Sequence, residues 1–160
     1  MLFTGLAELT IDAKQRLAIP AKYRSQIDES RDGRAWICVP WPEGSLLRLY
    51  TEAEFARISS AEIAGRETLI PSPEQAELEA AFFSLSERIE PDSAGRLTLP
   101  RLHLELVSMP QDVVMLGVRN RLEVRGRDAW KQNFKEDTFL KMPTLAARFL
   151  HGRGSNATNP

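Results

Sequence analysis

The sequence predicts an α+β protein in which one β-α-β module is written twice, with helices flanking the copies. Three observations predict it. First, Ile11-Asp12-Ala13-Lys14-Gln15-Arg16-Leu17-Ala18-Ile19-Pro20 is echoed by Pro91-Asp92-Ser93-Ala94-Gly95-Arg96-Leu97-Thr98-Leu99-Pro100, sharing Asp-x-x-x-Arg-Leu-x-(Ile/Leu)-Pro 80 residues apart. Second, apolar runs follow each copy in the same order: Trp36 to Val39 answers to Val113 to Leu116, and Leu46 to Tyr50 answers to Arg121 to Arg125. Third, Phe55 and Trp130 come next in register, each where a closing helix is expected.

Each element has a local cause. The Leu-x-Ile or Leu-x-Leu after the repeated arginine alternates like a half-buried strand, and the following proline suits the first turn of a short helix. Two β runs come next, joined by Pro40-Trp41-Pro42-Glu43-Gly44 in the first copy and Gly117-Val118-Arg119-Asn120 in the second, both rich in turn formers. Thr51-Glu52-Ala53-Glu54 reads as a capping box, with Phe55 and Ile58 facing the core, and Gly126 fills the equivalent cap position. Ser72-Pro73-Glu74-Gln75, ahead of Leu78, Phe82 and Leu85, opens a linking helix over 73–87. The expected organisation is a first module over 1–60, a linker over 61–87, a second module over 88–140, and a helix remnant with a disordered tail over 141–160. The disorder is expected from Gly152 onward, where no apolar residue can anchor the chain.

With 160 residues and 42% hydrophobic composition the chain can bury one substantial core or two fused small ones. Its 21 Lys+Arg against 22 Asp+Glu do not mark a bulk polyanion binder, so any nucleic-acid contact must be local. Charge is nonetheless segregated: eight Glu and two Arg lie between Glu52 and Glu87, whereas residues 115–135 hold six Lys/Arg against Glu123 and Asp128. The acidic stretch reads either as a solvated helix face or as one that meets a basic patch on a neighbouring subunit. The single cysteine, Cys38, sits in an apolar run and reads as a small buried thiol. No export signal and no membrane-spanning run are legible, which points to the cytoplasm and makes the glycosylation-like Asn156-Ala157-Thr158 a coincidence.

Candidate chemistry is sparse. There are two histidines, His103 and His151, with no phosphate-binding loop, no nucleophile elbow and no paired Cys-x-x-Cys, so neither an enzyme nor a cofactor is expected. Asp12 and Asp92 each stand four residues before an arginine, poor company for a metal ion, and no metal is expected. The repeated Asp-x-x-x-Arg lies between two short strands and so on a hairpin turn; Asp92 can accept backbone N–H bonds at its start and Gly95 suits a positive φ. Arg16, Lys14 and Arg96 would then sit at exposed tips, where arginine can fork onto guanine and lysine can neutralise phosphate. Equally open is a purely structural role, each aspartate stapling its own arginine.

These residues resemble the MraZ family, from Phe3-x-Gly5 through Asp12 to Arg24, then Asp92 to Pro100, then Gly117 to Val124. The resemblance implies a pseudo-two-fold swapped-hairpin β-barrel of the AbrB/MraZ type and a closed ring of protomers; head-to-tail contacts would close such a ring when the rotation permits. It implies a nucleoid-associated transcriptional regulator of the bacterial division and cell-wall gene cluster, binding double-stranded DNA at direct repeats upstream of its own operon, with no membrane and no small-molecule substrate. The DNA contacts it implies are Arg16, Arg96 and Lys14; Lys22, Arg24 and Arg101 are added as phosphate contacts on their charge and position. Gln15 stands where the first motif normally has glycine, which requires a strained positive φ or a different turn. Arg125 replaces a tryptophan common there, and Ala94 leaves the second tip less basic than the first. The competing reading is an oligomeric scaffold of the same fold without specific DNA binding.

Overall fold

The computed structural model describes residues 1–63 and 70–152, which fall into two compact units, Met1–Arg127 and the residues from Asp128 on. The first unit runs β1 (Leu6–Thr10), β2 (Arg16–Ala18), α1 (Ala21–Arg24), α2 (Glu29–Asp32), β3 (Trp36–Trp41), β4 (Leu46–Thr51) and α3 (Glu52–Ile63). It continues with α4 (Pro73–Ser84), β5 (Glu87–Ile89), β6 (Arg96–Thr98), α5 (Arg101–Leu106), β7 (Asp112–Val118) and β8 (Arg121–Gly126). It is a mixed α+β arrangement, as the sequence predicts.

The strands form a six-stranded antiparallel sheet in the order β1-β7-β8-β4-β3-β5 and a separate two-stranded ribbon of β2 and β6. Strands cross between the halves of the chain. β1 pairs with β7 and β5 pairs with β3, while β2 meets β6 around the central pair Leu17↔Leu97. Among the described residues the pairing gives a sheet that ends in β1 and β5, plus the ribbon.

Alternation decides what each strand buries. Leu17 and Leu97 from the ribbon and Leu47, Leu49, Leu122, Val124, Val113 and Met115 from the sheet are all sealed from solvent and share one core. Full burial of each such side chain contributes about 1.5–3 kcal/mol. Cys38 lies in the same core, where burial pushes its thiol pKa up and keeps it protonated. Gly117 lets the N-terminal segment cross β7: a β-carbon there would stand 2.5 Å from the Thr4 nitrogen, while its N–H donates to the Gly5 carbonyl at 2.8 Å.

The opposite face of the sheet carries Arg48 and Tyr50 from β4 and Arg121, Glu123 and Arg125 from β8. Here α3 and α4 add a second apolar layer. Phe55 lies 6.1 Å from Tyr50 and stacks on Phe82 at 6.0 Å, so it belongs to this outer aromatic cluster and not to the main core. The reason is parity, since α3 follows directly on the strand whose Tyr50 points outward. Glu54 N–H donates to Thr51 Oγ1 at 3.4 Å and Gln75 N–H to Ser72 Oγ at 3.2 Å, so both helices start on their expected caps.

The linking helix stops at Ser84, three residues short of the predicted 87. Leu85 leaves helical geometry at φ −95°, Ser86 Oγ donates back to the Phe82 carbonyl at 2.7 Å, and Glu87 enters β5 so that Ile89 can oppose Trp36. The sequence reading also missed α2, a single turn capped by Asp28, whose carboxylate accepts from Ser30 N–H at 3.0 Å.

α6 (Arg127–Asn133) opens directly after Gly126 and leads into the second unit, with a π-helical turn (Phe134–Phe139) and α7 (Met142–Gly152). Trp130 and Phe134 stack at 4.4 Å. The expected helix remnant is an eleven-residue helix that includes Gly152, with Leu145, Phe149 and Leu150 exposed; the rest of the expected tail lies outside the described residues. Among the described residues no helix is long and apolar enough to cross a membrane.

Candidate nucleic-acid interface

The repeated motif folds into the same turn twice. Asp12 N–H donates to the Arg16 carbonyl at 3.0 Å and Gln15 N–H to the Asp12 carbonyl at 2.9 Å; the second copy repeats these bonds between Asp92 and Arg96 and between Gly95 and Asp92, both at 2.9 Å. Each aspartate also takes two backbone N–H groups on one oxygen, from Lys14 and Arg16 in the first turn and from Ala94 and Arg96 in the second. Its other oxygen accepts from the arginine Nε, at 2.7 Å for Arg16 and 2.8 Å for Arg96. The arginine backbone N–H, ahead of the side-chain bond, holds each carboxyl below its ordinary pKa despite some burial. Gln15 adopts φ 62° against 74° for Gly95, so the first turn keeps the same shape and accepts the strain that glycine avoids.

The aspartate grips only Nε. The Nη groups of Arg16 and Arg96 make no hydrogen bond among the described residues, so each arginine is stapled at Nε with its outer edge left unbonded. The ribbon places both on one surface. Leu17 and Leu97 point into the core at the centre of the pair, so Arg16, Ala18, Arg96 and Thr98 project from the outer face. The two arginines are offset by two strand positions, about 7 Å along the ribbon, one toward each end.

Arg24 comes to the second turn from α1, its Nη1 lying 2.9 Å from where a β-carbon on Gly95 would be. It brings a cation from α1 to the second turn, where Ala94 stands in the place that Lys14 holds in the first. Lys22 is placed elsewhere: its Nζ donates to the Leu6 carbonyl at 2.5 Å and lies 4.8 Å from the Tyr23 ring centroid. Arg101, at the start of α5, is exposed and paired with Glu105 at 2.8 Å. No group of three His, Cys, Asp or Glu side chains comes together among the described residues.

Sequence reasoning passed over a second charged cluster on the outer sheet face. Glu123 is nearly sealed from solvent; Arg121 reaches its Oε1 at 2.8 Å, Arg125 its Oε2 at 2.5 Å, and Arg48 approaches Oε1 only to 3.7 Å. The Arg-x-Glu-x-Arg alternation of β8 was a usable signal, because period two puts all three on one face. Arg48 joins them through the pairing Arg48↔Glu123 between β4 and β8, which no spacing reveals.

Known proteins place the chain among relatives. The family model described as "MraZ protein, putative antitoxin-like" matches residues 2–68 and 82–150. A protein of Neisseria meningitidis is 33% identical over 81% of this chain and 83% of its own length. One of Thioalkalivibrio sulfidiphilus is 30% identical over 93% and 99%, and one of Cytophaga hutchinsonii 27% identical over 92% and 94%. Each of the three is named transcriptional regulator MraZ. Matched by that family model through both copies of its repeated turn, the chain belongs to the MraZ family.

Proposed function

We propose that the protein is a cytoplasmic, nucleoid-associated transcriptional regulator, without catalytic activity, that binds double-stranded DNA through the outer face of the β2/β6 ribbon. The observation that carries this reading is the pair of matching turns holding Arg16 and Arg96 by Nε while leaving their Nη groups unbonded. A two-stranded ribbon fits a major groove, and an end-on guanidinium forks onto guanine O6 and N7. Lys14 and Arg24 flank the two arginines as phosphate contacts; Lys22 and Arg101 are weaker candidates, since each already has a partner.

Two modules, over 1–60 and 88–140, build the shared ribbon by exchanging strands in the manner of swapped hairpins. Copies join into a closed ring, a role supported by the exposed apolar side chains of α7. Such a ring prefers evenly spaced direct repeats, here those upstream of the protein's own operon in the division and cell-wall cluster, and avidity compensates for weak single contacts. The test is fluorescence anisotropy against that upstream DNA, with scrambled competitor and a salt titration. Specific binding whose log affinity falls by about 0.9 per phosphate contacted in log salt supports the reading. Binding no tighter than to scrambled DNA transfers the weight to the scaffold.

A further inference from the structure

A pocket of about 350 Å³ opens on the outer sheet face beneath α3 and α4, walled by Trp41, Tyr50, Phe82 and Phe83, with Arg48, Ser59, Gln75 and Glu79 as its polar lining. Its volume falls in the range of small-molecule sites, which pair an apolar wall with a few polar groups. Two polar atoms of this lining lack a hydrogen bond. Ser59 Oγ and Arg48 Nε are sealed from solvent without a hydrogen bond, and a buried donor left unpaired is costly.

The ion cluster explains why Arg48 is spare. Glu123 has two carboxylate oxygens, and Arg121 and Arg125 occupy them with short hydrogen bonds. Three guanidinium groups around one carboxylate leave an excess of positive charge, and Arg48 is the member held loosely. Its guanidinium lies 4.0 Å from the Trp41 ring centroid, which holds it at the aromatic side of the pocket. The pocket thus joins an aromatic slot to a cation whose nearest carboxylate oxygen, Glu123 Oε1, stands 3.7 Å away and already accepts from Arg121.

We propose that this pocket binds a small amphipathic monocarboxylate, its apolar body against the aromatic wall and its carboxylate on Arg48 and Ser59. A planar carboxylate matches the guanidinium fork. A doubly charged phosphate is disfavoured by Glu79, which also lines the pocket and accepts from Gln75 Nε2 at 2.8 Å. The ligand is held as an effector, on Arg48 and Ser59, while the Glu79 carboxylate of the lining is engaged by Gln75 Nε2.

Isothermal titration of the full-length protein without DNA tests this, using octanoate and 2-naphthoate as probes and their primary amides as neutral counterparts. The expected result is saturable one-to-one binding of at least one acid, at least tenfold weaker binding of its amide, and at least tenfold loss in Arg48→Met. If Arg48→Met does not fold, Ser59→Ala takes its place with an expected loss of several-fold. Absence of saturable binding, equal binding of acid and amide, or unchanged affinity in the variant overturns the proposal. So does a probe that only changes oligomer size in light scattering, which means a neighbouring copy fills the pocket. As no DNA is present, failure here leaves the DNA-binding reading untouched, and failure of that reading leaves this one.

Discussion

Arg24 lies flat against Gly95, with its Nη1 2.9 Å, its Cδ 3.1 Å and its Cζ 3.3 Å from the place a β-carbon on that glycine would occupy. A residue of the first copy thereby completes a turn of the second, on a glycine that also holds φ 74°. Gly95→Ala introduces both a left-handed alanine and a collision with Arg24. A loss of stability of roughly 1–2 kcal/mol from the backbone alone is expected, together with weaker DNA binding as Arg24 is displaced. Urea unfolding and anisotropy on the same preparation separate the two effects.

Gln15 offers the reverse experiment. It holds φ 62° in a turn whose twin uses glycine, so Gln15→Gly relieves strain of order 1 kcal/mol, offset in part by the greater entropy of glycine in the unfolded chain. A gain of a few tenths of a kcal/mol in urea unfolding is expected, with DNA affinity unchanged. A lower stability would mean that the glutamine side chain contributes packing that outweighs its backbone strain.

Arg96→Ala discriminates between reading and stapling. The Arg96–Asp92 pair is solvent-accessible on both sides, and exposed pairs add little to stability. The aspartate keeps its backbone bonds to Ala94 N–H and to position 96 after the side chain is removed. The expected outcome is a melting temperature close to that of the parent and at least a tenfold loss of operator affinity, with the same pattern for Arg16→Ala. A large fall in melting temperature with affinity retained reverses the assignment.

Much of this site was legible because its determinants are local. The Asp-x-x-x-Arg spacing, a glycine before the arginine and a Leu-x-Leu strand after it specify a turn from a handful of adjacent residues, and the second copy verifies the first. What was hidden is tertiary. Nothing near Arg24 in sequence points to Gly95, seventy-one positions away, and the Arg48↔Glu123 pairing depends on a register set by two strands. The engagement of Lys22 with the Leu6 carbonyl was hidden for the same reason, since it follows from where α1 packs. The exchange of β1 and β5 between halves is equally non-local: the repeat announces two copies, and only the pairing tells which strand joins which.

His103 occupies in the second copy the place of Tyr23 in the first, fully buried, with Nδ1 3.4 Å from Cys38 Sγ. Burial lowers its pKa, and the nearby Glu87 only partly opposes that. The unfolded chain therefore binds a proton near pH 6.5 that the folded protein refuses. Its contribution is complete above about pH 6.5 and is lost as pH falls toward the depressed folded value. Stability measured by urea unfolding should decline from pH 7 to pH 5, before the carboxylates titrate, and His103→Phe should flatten that decline.

Glu123 governs the more acidic range. Burial pushes its carboxyl pKa up, but Arg125 and then Arg121 outweigh burial and leave it below the ordinary value. Its stabilisation is thus complete above about pH 4.3, the unfolded glutamate value, and is lost as pH falls below it. Glu123→Gln leaves three guanidinium groups facing one another without a counter-charge. Removing one partner of a buried ion pair costs about 3–5 kcal/mol, and partial exposure of the arginines points to the low end. Arg48→Met should cost much less, because its 3.7 Å approach to Glu123 is the weakest of the three and its removal brings the cluster closer to neutrality. A double-mutant cycle in urea between Glu123→Gln and Arg48→Met tests that ordering: the Glu123→Gln loss should shrink in the Arg48→Met background, where one of the stranded cations is gone.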